Sequence, residues 1–389
     1  MAEKNNVIYL DNAASTQPFP EVVECMNEIN EFIYGNSSSV HFKGIEAHRI
    51  IKDSTDVLAD FLNCSPEEVI FTSGGSESNN TAVKGLGFAV MGRGGNMVTS
   101  AFEHPTVLNA VKSMGDFGFE IRICGLNEEG CVCSDDLIGK IDSNTRLVSI
   151  MAVNSETGAK ADLGEMSDSV KGKNNKTVFH TDAVQAFGKY KLDMNELKNI
   201  DMLSASSHKI KGPKGVGLLY IRKGLNIKPL LDGGGHQGGR RSGTENTAGI
   251  AGFAAAAGIY KKNQIEFMKK ARELNEYLRQ KLLDNTYDIR INSPREGSPY
   301  ILNAAFRGIM SETLLNHLSG LNICVSAGSA CSSKKKSDSH VLSAMKVPGD
   351  YIGGAVRISF EPYSQKEDLD TLVKEIKAVL PILRRFGKR

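Results

Sequence analysis

The sequence has no excess of charge of either sign: 47 lysines and arginines face 45 aspartates and glutamates over 389 residues. A chain so balanced presents no broad basic surface for nucleic acid or for an acidic membrane. It also lacks a long hydrophobic run. The softest apolar stretch, residues 250–259, is broken by glycines and is too short to span a bilayer. The opening Met1-Ala2-Glu3-Lys4-Asn5-Asn6 has no apolar core of the kind a secretory leader needs. The seven cysteines include no CxxC pair, and only Cys131 and Cys133 stand close together. Such a set argues against a disulfide framework or a zinc knuckle, and for free thiols in a reducing compartment. The expectation is a cytoplasmic protein with no metal, no membrane span and no direct nucleic-acid partner.

What is there is an alternation of short apolar runs and helical patterns. Strands are expected at 69–72, 97–100, 119–124, 146–153, 177–180, 201–205 and 216–221, with helices at 45–62, 81–91 and 246–283. Strands separated by helices imply an α/β fold with a mostly parallel, wound sheet. The run at 146–153 is almost all apolar, as a strand covered on both faces should be.

Polar residues follow these strands one after another. The first strand runs into Ser73-Gly74-Gly75-Ser76, a small-residue turn before a helix, which suits an anion. The next ends at Glu103-His104-Pro105, where Pro105 fits the first turn of a helix. Asn154, then Asp182 and Gln185, close the following two. The last leads into Ser206-Ser207-His208-Lys209-Ile210-Lys211-Gly212-Pro213-Lys214-Gly215, a lysine in a tight turn. A lysine held beside buried strands loses solvation and becomes an amine nucleophile. Each residue alone has an ordinary structural use, as a cap or a surface turn. In an open α/β sheet, however, strand ends converge on one edge, which is where ligands bind.

The composition changes near Tyr260-Lys261-Lys262, where an alanine-rich helix becomes charged. We expect a large domain over 15–260 and a smaller α+β domain built from 1–14 and 261–389. The smaller one has strands near 300–306, 323–326 and 355–360 and helices at 311–318 and 366–384. Gly233 to Gly238 spells G-x-G-x-x-G, but no strand–helix frame surrounds it, so a dinucleotide site is not expected. Cys331 sits among small, polar and basic residues, followed by Lys334, Lys335 and Lys336, a setting that stabilises a thiolate. Arg357 lies inside an apolar strand and needs a partner: a substrate carboxylate or an internal acid.

Taken together, Ser206-x-His208-Lys209-x-x-Gly212-Pro213-Lys214-Gly215, Arg241-Ser242-Gly243-Thr244 and Gly328-Ser329-Ala330-Cys331 resemble the NifS/IscS-type cysteine desulfurases. These belong to the class V aminotransferase group of enzymes that use pyridoxal 5'-phosphate, and the likeness covers nearly the whole chain. It implies a fold type I homodimer that takes sulfur from L-cysteine and leaves L-alanine and a protein persulfide. The sulfur would pass to acceptor or scaffold proteins, as in iron–sulfur cluster assembly or thiolation. By resemblance, Lys209 would hold the cofactor as a Schiff base, Asp182 would pair with its ring nitrogen, and His104 would stack on the ring and assist proton transfer. Gln185 and Asn154 would bond around the ring oxygen. Gly75, Ser76, Ser206 and His208 would hold the phosphate, joined by Thr244 of a second subunit. Arg357 and Asn36 would bind the substrate carboxylate, and Cys331 would carry the persulfide.

The chain departs from the family pattern in several places. Gly74-Gly75-Ser76-Glu77 replaces the usual Gly-Ala-Thr-Glu, Ser37 a proline, Ser155 an asparagine and Ala161 a glutamine. Phe360-Glu361-Pro362-Tyr363 is also unusual after the arginine strand. Competing readings are a selenocysteine lyase or another class V enzyme, a non-enzymatic scaffold, and a nucleotide binder using Gly233 to Gly238.

Overall fold

The computed structural model describes residues 7–328 and 339–386. Its strands are β1 (Ile8–Tyr9), β2 (Val69–Thr72), β3 (Asn96–Ser100), β4 (Glu120–Cys124), β5 (Thr145–Ser149), β6 (Val178–Asp182), β7 (Met202–Ser206), β8 (Gly217–Ile221), β9 (Ile289–Ile291), β10 (Ile301–Phe306), β11 (Ile323–Cys324) and β12 (Ala355–Ser359). Its helices are α1 (Pro20–Phe32), α2 (Phe42–Leu62), α3 (Gly75–Val90), α4 (Pro105–Ser113), α5 (Ser134–Gly139), α6 (Leu163–Lys173), α7 (Thr247–Asn285), α8 (Ser311–Gly320), α9 (His340–Ala344), α10 (Gly349–Ile352) and α11 (Lys366–Phe386).

Seven strands form the main sheet in the order β2-β8-β7-β6-β5-β3-β4. Neighbours from β7 through β4 run parallel, while β8 is antiparallel to both β7 and β2. The sheet is therefore mixed, with one reversed strand, and the C-terminal ends of β2, β3, β5, β6 and β7 share an edge. Alternation along each strand fills both faces. Phe71, Val148, Phe179 and Leu203 pack toward α2 and the first half of α7. Ile70, Leu147, Val178 and Met202 pack with Ala82, Val83, Val107 and Val111 of α3 and α4.

Two details differ from the sequence reading. Helix α3 begins at Gly75, six residues before the expected start. Its polar first turn reads as loop in the sequence, yet Ser78 and Asn79 point inward and are buried. Strand β5 stops at Ser149, although Ile150 and Ala152 still donate backbone bonds to His180 and Asp182 at 3.1 and 3.0 Å. The helix expected over 246–283 is present: α7 runs unbroken from Thr247 to Asn285, through Tyr260-Lys261-Lys262. The change in composition marks a change of neighbours. Ile250, Phe253, Ala257 and Tyr260 belong to the core beneath the main sheet. Leu274, Leu278 and Leu282 belong to a second core with Leu302, Ile358, Leu372 and Ile376.

That second core lies on a three-stranded sheet, β12-β10-β9, antiparallel throughout. Strand β1 pairs with β11, so the N-terminal residues join this part of the molecule. Near Gly233–Gly239 no strand–helix frame exists. Instead the Gln237 amide pairs with both backbone groups of Phe71, at 2.6 and 3.0 Å, and covers the open edge of β2. No helix among the described residues is long and apolar enough to cross a membrane.

Candidate active site

The shared strand edge opens into a cavity of about 200 Å³. Gly75, Ser76, His104, Asp182, Gln185, Ser206, His208, Lys209 and Arg357 all line it. A shallower depression continues past Ser73, Gly74 and Lys214 along the N-terminal turn of α3. Two larger depressions, of about 870 and 690 Å³, lie elsewhere on the surface and hold none of these residues.

Lys209 follows β7 in a short helical turn. Its Nζ donates to the carbonyls of Ala13 and Ala14 at 2.5 and 2.7 Å. Burial, reinforced by the positive charges of Arg357 and Lys189, brings its pKa from 10.5 down to about 7. It is thus an amine for much of the time at neutral pH, which an ordinary surface lysine is not.

Asp182 ends β6 and is 1% exposed. Asn79 Nδ2 donates to its Oδ2 at 2.7 Å and the Val184 N–H to its Oδ1 at 3.0 Å. Burial pushes this carboxyl up, and His104 and these two donors draw it back. His104 caps α4: its Nδ1 accepts the Thr106 N–H at 3.2 Å and lies 2.8 Å from Thr106 Oγ1. Burial lowers its pKa, opposed by Asp182. His208 falls to about 4, through burial first and then the neighbouring lysines 209, 214 and 189. An unprotonated imidazole beside an anion site can donate one N–H without adding charge.

Arg357 has an internal acid for a partner, one of the two expected for it. It pairs with Asp11 at 2.7 Å and donates to the Ser155 carbonyl at 2.9 Å, and among the described residues its buried Nε has no partner. The guanidinium lines the cavity with donor capacity to spare. Gln185 Nε2 donates to the Ala13 carbonyl at 2.8 Å, the same oxygen that Lys209 uses. Asn154 does not line the cavity. Its Nδ2 donates to Phe102 O, and its Oδ1 accepts from Glu156 N and Thr157 N, so it shapes the loop after β5.

Asn36 and Thr244 are exposed and line no part of this chain's cavity. Their loops are tied together, since Ser37 Oγ donates to Glu245 at 2.8 Å. That bond accounts for serine at a position where proline is usual. Arg241 pairs with Glu77 at 2.9 Å, which docks the same loop on the first turn of α3. Cys331 lies outside the described residues.

Sequence reasoning missed Asp11, Asn79 and Thr106. Asn79 carried a signal: it stands one helical turn after Gly75, on the face that meets β6. Asp11 leaves no local pattern, because its partner is 346 positions away. The unusual Phe360–Tyr363 segment also has a use here. Glu361 pairs with Lys211, whose ammonium lies 5.4 and 5.6 Å from the ring centroids of Phe19 and Tyr363.

Comparison with known proteins agrees with this geometry. The Aminotransferase class-V family profile matches residues 8–372. The chain is 38% identical to the cysteine desulfurase IscS of Dictyoglomus turgidum over 98% of its length and 96% of that protein's. It is 39% identical to a NifS-type homologue of Lactobacillus delbrueckii, over 98% of each. Among solved structures, a NifS-like protein superposes with a TM-score of 0.91 at 37% identity, covering 97% of this chain and all of that one. SspA in complex with cysteine gives 0.82 at 32% identity, over 92% of this chain and 100% of that one. A lysine of low proton affinity at the strand edge of such a sheet, in a chain matched end to end, has one family reading: this protein is a class-V aminotransferase family member of the cysteine desulfurase (NifS/IscS) type.

Proposed function

We propose that the protein removes sulfur from L-cysteine, yielding L-alanine and a persulfide on Cys331 that is passed to an acceptor protein. The observation that carries this is the grouping of an amine, a buried acid and a partly satisfied arginine in one small cavity. The donor set fits pyridoxal 5'-phosphate. Lys209 is available as an amine for its aldehyde, and the Asp182 carboxyl suits its ring nitrogen. The N-terminus of α3 suits its phosphate, with Ser76, Ser206 and His208 beside it. The turn is tight: a Cβ on Gly75 would meet Val184 Cγ2 at 2.6 Å, so the alanine usual at this position would need the Val184 side chain to shift. When bound, the cofactor supplies an electron sink for the pair left at the substrate Cα.

The chain's own residues do the rest. Arg357, whose guanidinium lines the cavity, binds the substrate carboxylate and so orients the amino acid. Lys209 Nζ accepts and returns the Cα proton, which its low pKa allows at neutral pH. His104, held by Thr106 and facing Asp182, shuttles protons at the mouth of the sulfur path. The Cys331 thiolate attacks the substrate sulfur: the S–S bond forms as the Cβ–S bond breaks, its electron pair stays with carbon, and protonation gives alanine.

We infer further that two copies build each site. Asn36 and Thr244 project from adjoining exposed loops that do not reach their own cavity. Beside them Tyr34 is 73% and Val40 94% exposed, with Phe32 and Phe42 also bare. An apolar patch of this kind fits burial against a second copy.

The test is mass spectrometry of the protein after incubation with L-cysteine, with the added sulfur located by peptide, and sedimentation to give the mass. Sulfur on Cys331, and no alanine from Cys331→Ala although that variant still binds cofactor, are expected. Alanine formation by Cys331→Ala at the parent rate, or an active monomer, contradicts the reading.

A further inference from the structure

One buried charge has no part in the chemistry above. Lys189 is 5% exposed, and the ion pairs among the described residues do not include it. Its place is set by Gly188, which takes φ +81 and packs so tightly that a Cβ there would meet Ile210 Cγ2 at 2.5 Å. The segment thus runs directly beneath the turn that carries Lys209. The Lys189 ammonium lies 5.2 Å from the ring centroid of Tyr300 and 3.3 Å from Gln185 Oε1. Burying an ammonium with one amide and one ring for company is costly, so its position calls for a use.

Three hydrogen bonds connect it to the reactive amine. Lys189 Nζ donates to Gln185 Oε1, Gln185 Nε2 donates to Ala13 O, and Lys209 Nζ donates to the same oxygen. We propose that Lys189 is a positioning residue, which turns the Gln185 amide so that its N–H end faces the cavity and holds a second positive charge behind Lys209. The first half follows from donor and acceptor types. An ammonium has no acceptor, so the amide facing it must present oxygen, and the N–H end is left for the cavity wall. The second half follows from charge: Lys189 is one of the groups that depress the proton affinity of Lys209 and of His208.

This rests on the reading of the site given above, since Gln185 faces cofactor only if cofactor binds there. The groups that face Lys209 are Arg357, Lys189, Asp11 and Asp182, with His104 and His208 beside it. Removing one of its two cationic neighbours must raise its pKa. Lys189 itself is lowered to about 8 by burial and by Arg357, so it is charged through the neutral range.

The experiment compares Lys189→Met, Lys189→Gln and Lys189→Arg as full-length, cofactor-free protein, with folding checked by circular dichroism. Acetylation of Lys209 by acetic anhydride is followed against pH and located by peptide mass spectrometry. The parent midpoint is expected at about 7. In the Met and Gln variants it moves upward, so labelling at pH 7 slows about twofold or more, the effect of roughly half a pH unit on a midpoint at about 7. In the Arg variant it stays. Should the Met variant fail to fold, the Gln variant reads the same loss of charge. A midpoint unchanged in the neutral variants, or shifted equally in Arg and Met, overturns the electrostatic role. Pyridoxal phosphate affinity at neutral pH, where Lys189 is charged, reads the orienting role once it is corrected for the amine fraction of Lys209 that the acetylation profile gives. It weakens several-fold in Met and recovers in Gln and Arg, both of which offer Gln185 Oε1 a donor. Equal affinity in all three overturns that role. If the parent binds no pyridoxal phosphate, the reading of the site fails, while the acetylation profile still decides what Lys189 does to Lys209.

Discussion

At the scale of single residues, the site is made by desolvation. Lys209 keeps its ordinary value of 10.5 in an unfolded chain and about 7 in the folded one. The unfolded state therefore binds more protons between those limits, and stability at this position rises with pH across that window. Below pH 7 the folded chain bears the full cost of a buried ammonium; above the unfolded value it bears none. Lys209→Met should abolish the activity of cofactor-loaded protein, and in cofactor-free protein its stability relative to the parent should be highest at or below pH 7. That difference should shrink by up to a few kcal/mol as pH rises toward 10. Urea unfolding at two pH values measures it, and a constant difference would contradict the assignment. His104 has two separable duties, one to the α4 backbone and one to chemistry. His104→Asn keeps a good cap and removes the imidazole. We expect unfolding within about 0.5 kcal/mol of the parent and turnover slower by about 100-fold. His104→Ala should lose about 1 kcal/mol of stability as well.

At the scale of elements, short segments are fixed by partners far away in the chain. Lys211 adopts φ +60, a left-handed conformation unusual for lysine, two residues after Lys209. Its side chain is buried, with Glu361 as its ion-pair partner and Phe19 and Tyr363 as walls. Glu361→Ala leaves that ammonium uncompensated and should cost about 3 kcal/mol in urea unfolding. Glu361→Gln, which retains an acceptor, should cost less; equal effects would mean that charge is not what holds the turn. The strands of the main sheet were legible in the sequence because buried parallel strands are apolar runs of the right length. So was the edge on which His104, Asp182 and Lys209 meet, since topology alone brings strand ends together. The start of α3 was not legible, because Ser78 and Asn79 face inward to serve Thr72 and Asp182, and polar residues so used look like loop. The partners of Asp11 and Ser37 were not legible for a related reason: Arg357 and Glu245 are set by tertiary contact and leave no local pattern.

At the scale of the whole molecule, α7 joins two cores without interruption. Phe253 and Tyr260 are buried in the first, and Leu274, Leu278 and Leu282 in the second. Leu278→Ala should cost about 2–5 kcal/mol through the cavity it leaves. Calorimetry and tyrosine fluorescence should report the loss as one transition moved to lower temperature. Two peaks, with only one of them shifted, would mean that the cores melt independently. The continuity of α7 carries a consequence for inheritance as well as for melting. A fragment ending at its midpoint would lack the far half of a helix that its own core needs straight, and the complementary fragment would begin with bare leucines. The chain is therefore hard to split, shuffle or shorten at its apparent seam. Insertions and fusions should be tolerated at its surface loops and refused along this one helix.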